Sequence, residues 1–448
     1  MHIMRQYACV YRNVGGYMFK ALGAAFRTAD LRRKLLFTLF IMAIYRFGTY
    51  VPAPFVSYGN IQTCMTQMGD DEVGFMTMIN MFSGGGMLQL SIFALGIMPY
   101  ITASIIIQLL RVVIPRFEEL HKEGQSGTAK LTEYTRYLTI GLGVLQSSVV
   151  VSVANRSLFE GCSVDPIPNE TWWKVLFAIM TMTAGTGLIM WLAEQITERG
   201  IGNGMSILIF TGIAASFPTM LWEVNNSKGI GYALGVFVLF LLIMAVVAFV
   251  EQSQRRIPVQ YAKRVVGRRT YGGSATYLPL KINMANVIPV IFASSILMLP
   301  QMVAQFGDPS SSWVAFVNKW FASGPNAYVY FVLYGLLIVG FTFFYTSISF
   351  NTEEVADNMK RYGGFVPGYR PGTSTANYLR YVSNRLTTVG SIYLAIVALI
   401  PTVLFAKLGI MGSSFGGTSI MILIGVGLQT VKDIDAQLQQ RHYEGFLK

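Results

Sequence analysis

From Val73 to Leu110 the sequence runs VGFMTMINMFSGGGMLQLSIFALGIMPYITASIIIQLL without a single charged residue. A bilayer core is about 30 Å thick, and about 20 apolar residues cross it as a helix. The run is too long for one crossing and too short for two crossings with a loop between them. It is also interrupted, first by Gly84-Gly85-Gly86 and then by Pro99. Each glycine forgoes roughly 1 kcal/mol of the helix preference of alanine. The expected arrangement is a short half-helix over 74–84, a glycine turn, and a full helix from about Ser91 to Val113. Non-helical backbone survives at membrane depth only within protein or against a water-filled cavity. The break therefore asks for a cavity, and the chain around it must supply one.

Hydrophobic residues make up 53% of the chain and charged residues 12%, with a mean hydropathy of +0.49, which places it among polytopic membrane proteins. Met1–Lys34 is basic and amphipathic and lacks the apolar core of a cleavable signal peptide, so the first two spans are expected to act as insertion signals. Ten spans are predicted, roughly 35–54, 91–113, 135–155, 172–192, 201–221, 230–250, 284–304, 328–349, 386–406 and 414–432. Of the 34 Lys and Arg residues, all but Arg46, Arg156, Lys174, Lys228, Lys319 and Lys407 fall on one side of this topology. By the positive-inside rule that side is cytoplasmic and holds both termini. The net charge of +12 is then mostly a topological signal.

Five spans that begin inside are followed by five that begin outside. The expected fold is an all-α polytopic membrane protein, its ten transmembrane helices forming two inverted halves, with any functional site between them. The halves are 1–221 and 232–448, joined by an outer hinge at 222–231. Two cytoplasmic loops, 251–283 and 350–385, are longer than topology requires. The first carries Arg255, Arg256, Lys263, Arg264, Arg268, Arg269 and Lys281 against one acid, Glu251, with Tyr261, Tyr271 and Tyr277 interleaved. Arginine with aromatics can grip a phosphate backbone and stack on exposed bases, so these loops read as a docking surface as well as a topological anchor.

No catalytic constellation is present. His2, His121 and His442 lack metal-ligand spacing, and no cofactor is expected. Cys9 is cytoplasmic, while Cys64 and Cys162 both fall in outer segments, where a disulfide between them is open. Arg199-Gly200-Ile201-Gly202-Asn203-Gly204 has neither the preceding strand nor the following Gly-Lys of a phosphate loop and reads as a tight turn into span 5. Glu194 and Glu198 flank that turn as solvated acids. Arg46 is the exceptional intramembrane charge, fit for snorkelling or for tethering helices. The spans otherwise offer neutral polarity beside aliphatics: Thr102, Ser104 and Gln108 accompany Ile97 and Ile101, and Asn283, Ser294 and Ser295 accompany Ile291. An ion-coupled secondary transporter with inverted repeats also uses discontinuous helices, but the scarcity of buried acids speaks against it.

Several stretches together resemble the SecY family, the pore-forming subunits of bacterial protein-conducting channels. They are MFSGGGMLQLSIFALGIMPYITASIIIQLL (81–110), ITERGIGNGMSILIF (196–210), QRRIPVQYAKR (254–264), LPLKINMANVIPVIFASSI (278–296), GYRPGTSTANYL (368–379) and FGGTSI (415–420). The resemblance implies a non-enzymatic channel in the cytoplasmic membrane that passes unfolded secretory polypeptides between its two halves and releases membrane helices sideways. It implies a plug around Asn80, Met81, Phe82, Ser83, Gly84, Gly85 and Gly86, extending to Gln89. It further implies a central pore with a constricting ring of Ile97, Ile101, Met205, Ile209, Ile291 and Ile422, in which methionine stands at 205 where the family usually has isoleucine. A narrow apolar ring resists wetting and traps no passing charge. Thr102, Gln108, Asn283 and Ser295 are the expected lateral-gate residues, held by hydrogen bonds weak enough for an apolar signal helix to replace. Arg255, Arg256, Arg264 and Arg370 are the expected docking residues. The implied partners are the small membrane subunits SecE and SecG, the motor ATPase SecA, the ribosome, signal peptides with their unfolded polypeptides, and the lipid bilayer.

Overall fold

The computed structural model describes residues 26, 28–67, 83–87, 89–156, 171–261, 264–266, 269–271, 275–304, 311–321, 328–408 and 417–446. Each of the ten expected spans has a helix: α1 (Ala29–Gly48), α3 (Met98–Val113), α5 (Gln125–Arg156), α6 (Trp172–Arg199), α7 (Gly204–Lys228), α8 (Ile230–Gln252), α9 (Ile288–Ala304), α11 (Tyr328–Ser349), α13 (Thr373–Leu408) and α14 (Gly417–Phe446). Between them lie the shorter helices α2 (Tyr58–Gln67), α4 (Pro115–Lys122), α10 (Ser312–Phe321) and α12 (Thr352–Arg361). Among the described residues five helical stretches are long and apolar enough to cross a bilayer, and a sixth if α3 and α4 count as one broken span. Those two meet at 98°, because Ile114 ahead of Pro115 takes an extended conformation (φ −104°, ψ 112°).

The described residues divide into two compact units. One holds the chain up to Ile230 together with Ile422 onward; the other begins at Gly231, continues through α13 and includes α14 up to Met421. In the first, α3 packs on α5, α5 on α6 and α6 on α7, while α1 lies against α6 and α7. Gly185 on α6 marks a close approach: a Cβ there would stand 2.1 Å from the carbonyl oxygen of Ile92. In the second, α11 packs on α13 and α9 on α11.

Three expectations change. The helix after the triple glycine starts at Met98, not Ser91, and residues 83–87 and 89–97 are a series of turns. Their backbone groups bond to the chain after α1 instead of to a helix: Ala53 N–H donates to Leu90 O (2.9 Å), Ile92 N–H to Val51 O (2.9 Å), and Pro52 bridges Ser91. Leu90 and Gly96 have positive φ, which no α-helix admits. Pro99 then sits within the first helical turn, where its missing N–H costs nothing. The half-helix 74–84 lies mostly outside the described residues. The outer hinge 222–231 is helical as far as Lys228, and the chain breaks only at Gly229 (φ 91°). The 251–283 loop is no irregular loop but a β-sheet element. Strands β1 (Gln254–Tyr261) and β4 (Ala275–Lys281) pair antiparallel, with the small hairpin β2 (Arg264–Val266) and β3 (Arg269–Tyr271) between them in sequence.

Gly185→Val should lower the melting temperature of the detergent-solubilised protein, by a cost of about 1–3 kcal/mol for forcing a side chain into a packed site. Gly187→Val, one turn position away with only Ile140 at 3.5 Å, should do so far less. Equal melting shifts for the two variants would deny the close approach at Ile92.

Candidate channel elements and docking module

The module formed by the two long loops is built by apolar burial on one face of a strand pair. In β1 Ile257 and Val259 are buried on that face, Pro258 between them is exposed, and Arg255 and Arg256 are exposed at the start of the strand. Ile257 and Leu280 join Val366, Leu379 and Val382 in one core, and Val355 and Met359 of α12 pack against it. A third strand, β5 (Gly364–Phe365), pairs with the end of β1 through Gln260↔Phe365 and Tyr261↔Gly364. The two long loops are thus one body, tied by a sheet that the sequence reading treats as separate segments. Asn351 caps α12, its side chain accepting from Glu353 N–H (3.1 Å) and Glu354 N–H (3.3 Å). Arg380 of α13 donates to Glu353 at 2.7 Å. Arg370 is exposed on the turn before α13, beside the stacked pair Tyr369–Tyr378 (4.2 Å between centroids). Arg264 opens β2 opposite Tyr271; Lys263 and Arg268 lie outside the described residues. On the separate helix α4, the hydrogen bond and charge of Lys122 hold the Glu118 carboxyl below its usual range, an exposed pair of little weight for stability.

The ring residues stand at helix starts. Ile97 caps α3 and closes its first turn, its carbonyl accepting from Ile101 N–H at 3.1 Å. Both side chains are buried, at 1% and 7% exposure. Met205 and Ile209 are one turn apart on α7, methionine half-buried and isoleucine buried. Asn203 starts that helix, its side chain accepting from Met205 N–H (3.0 Å) and Ser206 N–H (3.4 Å). The turn before it is held by Gly204 N–H donating to Thr197 Oγ1 (2.9 Å) and Ile201 N–H to Thr38 Oγ1 (3.3 Å). The glycine motif is the tight turn its sequence suggests. Ile422 is buried in α14, which runs past α7 with Gly427 facing Phe210. Ile291 is half-buried in the first turn of α9, in the other unit.

The four expected gate residues behave differently from one another. Thr102 Oγ1 donates to Met98 O (3.0 Å) and Gln108 Nε2 to Ser104 Oγ (3.4 Å), both within α3. The Ser295 hydroxyl is buried and has no hydrogen-bond partner among the described residues. Asn283 is spent: its buried amide donates to Glu251 Oε1 at 2.6 Å and to Asn286 O at 3.0 Å. Glu251 is a functional-looking residue that sequence reasoning counted only as the loop's one acid. The available signal was its place, a carboxylate directly after the most apolar helix, with an asparagine where the chain returns. Glu194 is a correction: far from solvated, its carboxylate takes both Arg136 Nε and Nη2 at 2.8 Å, and its side chain is 18% exposed. Of the plug residues, Ser83, Gly84, Gly85 and Gly86 are described, whereas Asn80, Met81 and Phe82 lie outside the described residues, as does Cys162. Cys64 lies on α2. Among the described residues no group of His, Cys, Asp or Glu is arranged to hold a metal ion.

Removing the amide at Asn283 takes a charge-assisted hydrogen bond away from a buried carboxylate. Asn283→Ala should therefore destabilise the protein by about 2 kcal/mol, the scale of a hydrogen bond to a charged group, with Asn283→Gln costing less. Thermal melting in detergent checks it; an unshifted midpoint for Asn283→Ala would mean Glu251 is satisfied without that amide.

Comparison with known proteins shows the family and the fold. The family model described as SecY matches residues 91–431. The protein translocase subunit SecY of Streptomyces galbus is 55% identical over 442 residues, covering 96% of this chain and 100% of that one. Among solved structures, a protein-conducting channel superposes with a TM-score of 0.63 at 17% identity, over 90% of this chain and 91% of the other. The idle yeast Ssh1 complex bound to the yeast 80S ribosome gives 0.61 at 16% identity, over 90% and 89%. At such low identity the two structures speak for the fold.

Proposed function

The chain belongs to the SecY family, and from that premise we propose how its residues divide the work of a polypeptide channel. It is a multi-pass membrane protein and a subunit of a protein-conducting channel, not an enzyme. In our reading it sits in the bacterial cytoplasmic membrane with both termini inside, passing unfolded secretory chains and releasing apolar helices through a lateral gate. The observation that carries this reading is the broken second span: an apolar segment whose non-helical part is strapped to neighbouring backbone and whose helix begins with two buried isoleucines. A transporter with a broken helix places charged or polar groups at the break to hold its ion or substrate; here the charge at the break, Arg46, is bonded to Gly84 O and the Tyr50 hydroxyl, and the helix that follows opens with Ile97 and Ile101.

Ile97, Ile101, Met205, Ile209, Ile291 and Ile422 are proposed to line the constriction, where apolar side chains exclude water until a polypeptide replaces them. Methionine at 205 has an unbranched, flexible side chain and adapts the ring to passing residues of different size. Ser83 to Gly86, with Asn80 to Phe82 before them, are proposed as the plug. Thr102 and Gln108 remain gate candidates that can exchange partners cheaply, Ser295 remains one with a buried hydroxyl open to a partner, and Asn283 is assigned a bracing role at the base of the docking hairpin. With no nucleotide motif in the sequence, energy comes from a partner. The exposed Arg255, Arg256 and Arg370, together with Arg264, are proposed to receive the ribosome or the motor SecA, and SecE and SecG to complete the membrane complex.

Cysteine variants at 97, 209 and 291 should crosslink to a stalled secretory precursor in reconstituted membranes. The absence of a crosslink at all three, with rapid uptake of small solutes into liposomes, would instead favour a transporter. Reversing Arg255 and Arg256 to Glu should weaken ribosome binding in a salt-dependent way, the slope of log affinity against log salt falling by about one per lost phosphate contact. An unaltered salt titration would leave these arginines as topological charges.

A further inference from the structure

Arg46 lies in the last turn of α1 and is the single charged residue between Leu35 and Gly48. Its surroundings decide between the two roles its sequence position allows. Nη1 donates to the carbonyl oxygen of Gly84, and Nη2 donates to the Tyr50 hydroxyl at 2.9 Å. The guanidinium carbon stands 5.0 Å from the centre of the Tyr50 ring. Arg46 is therefore a tether, and its target is the first residue of the triple glycine.

The backbone there is shaped to meet it. Gly84 has φ of 67° and Gly85 of 94°, both in the left-handed region that glycine enters freely. A Cβ on Gly84 would stand 3.2 Å from Gly212 Cα and 3.3 Å from Arg46 Nη1, so a side chain would crowd both α7 and the guanidinium. On the C-terminal side the chain is already fixed. Ser91 N–H donates to Gly86 O (3.0 Å), and Ser91 and Ile92 are joined to the strand-like segment after α1. Gly84 and Gly85, closed into a turn by Gly86 N–H to Ser83 O (3.4 Å) and Met87 N–H to Ser83 Oγ (3.0 Å), thus separate a strapped segment from the residues before it, and Arg46 holds the first of the two.

We infer that Arg46 is the latch of this hinge: a positioning residue that holds Gly84 in the resting arrangement and so sets how often the channel opens without a signal sequence. The inference rests on the plug reading given above. A hydrogen bond from a charged donor is strong enough to bias a two-state equilibrium by about tenfold, and Tyr50 keeps the guanidinium aimed by fixing its second nitrogen. When the plug moves, the Gly84 carbonyl leaves and Tyr50 retains the arginine near the same place, ready for the return.

The test uses the full-length chain with its co-purified partner subunits in planar bilayers, alongside export of a precursor whose signal sequence is defective. Arg46→Ala should raise the resting ion conductance about tenfold and permit export of the defective precursor. A variant that merely folds badly loses conductance and export together, so the gain of both is specific. Arg46→Lys, which keeps the charge but cannot grip Gly84 and Tyr50 at once, should move both readouts in the same direction by less, and it carries the test if Arg46→Ala fails to accumulate. Deletion of 80–86 separates the two ideas. If the deletion raises conductance while Arg46→Ala and Arg46→Lys stay at the wild-type value, the plug stands and the latch is wrong. If the deletion also leaves conductance unchanged, the plug reading fails and takes the latch with it.

Discussion

A backbone amide that leaves a helix in apolar surroundings must find another partner, since each unsatisfied group costs several kcal/mol there. In this chain the obligation falls on the residues between Ser83 and Ile97, and the way it is met organises the first unit. The carbonyls and amides of Val51, Ala53, Leu90 and Ile92 satisfy one another across the gap between α1 and α3, while internal turns close the rest: Met87 N–H donates to Ser83 Oγ at 3.0 Å and Gly96 N–H to Phe93 O at 2.9 Å. Because the strap consumes these groups, α3 can start only at Met98. That start places Ile97 and Ile101 together at the helix's end instead of midway along a longer rod. The close packing of Ile92 on Gly185 then fixes the strapped segment against α6, so the position of the isoleucines follows from backbone bookkeeping before any side-chain preference acts.

The second unit meets a related constraint outside its spans, where water can satisfy the backbone and burial of apolar side chains decides. Ile257, Leu280, Val366, Leu379 and Val382 come from five positions spread over the two long loops and the start of α13. Their core orders β1, β4 and β5 into one sheet, and the arginines of β1 are exposed at the strand's start, before the buried Ile257 and Val259. This core takes side chains from α13 itself, Leu379 and Val382, with Leu386 packed against it. A second connection to the spans passes through Glu251 and Asn283, at the two points where the hairpin leaves α8 and heads for α9.

The spans were legible in the sequence because transfer of about 20 apolar residues into lipid is a local, additive signal, and each predicted span coincides with a helix. The glycine break was legible for the same reason: a triple glycine weakens any helix whatever surrounds it. What lay beyond reading were features whose cause is a partner far along the chain. The start at Met98 depends on Val51 and Ala53. The β-pairing of 254–261 with 275–281 has an alternating pattern only over Ile257 and Val259, too short to declare a strand among so many arginines. Glu194 looked solvated beside Glu198 because nothing local announces Arg136, 58 residues earlier. Asn283 was picked out as a polar residue of consequence, yet its partner is the carboxylate at Glu251 and not a neighbouring span.

That last difference changes what a gate made of neutral polar residues can be. A threonine or glutamine bonded to its own helix exchanges that bond for another at almost no net cost, since both states are satisfied. Thr102 and Gln108 on α3 are in this condition. An asparagine bound to a buried carboxylate exchanges at a higher cost, because the bond it gives up is charge-assisted. If polar contacts govern the lateral opening, the adaptable side is α3, the helix that also carries Ile97 and Ile101 and follows the strapped segment. In the other unit Asn283, which leads into α9, is tied to Glu251 at the end of α8, beside the hairpin that carries Arg255 and Arg256.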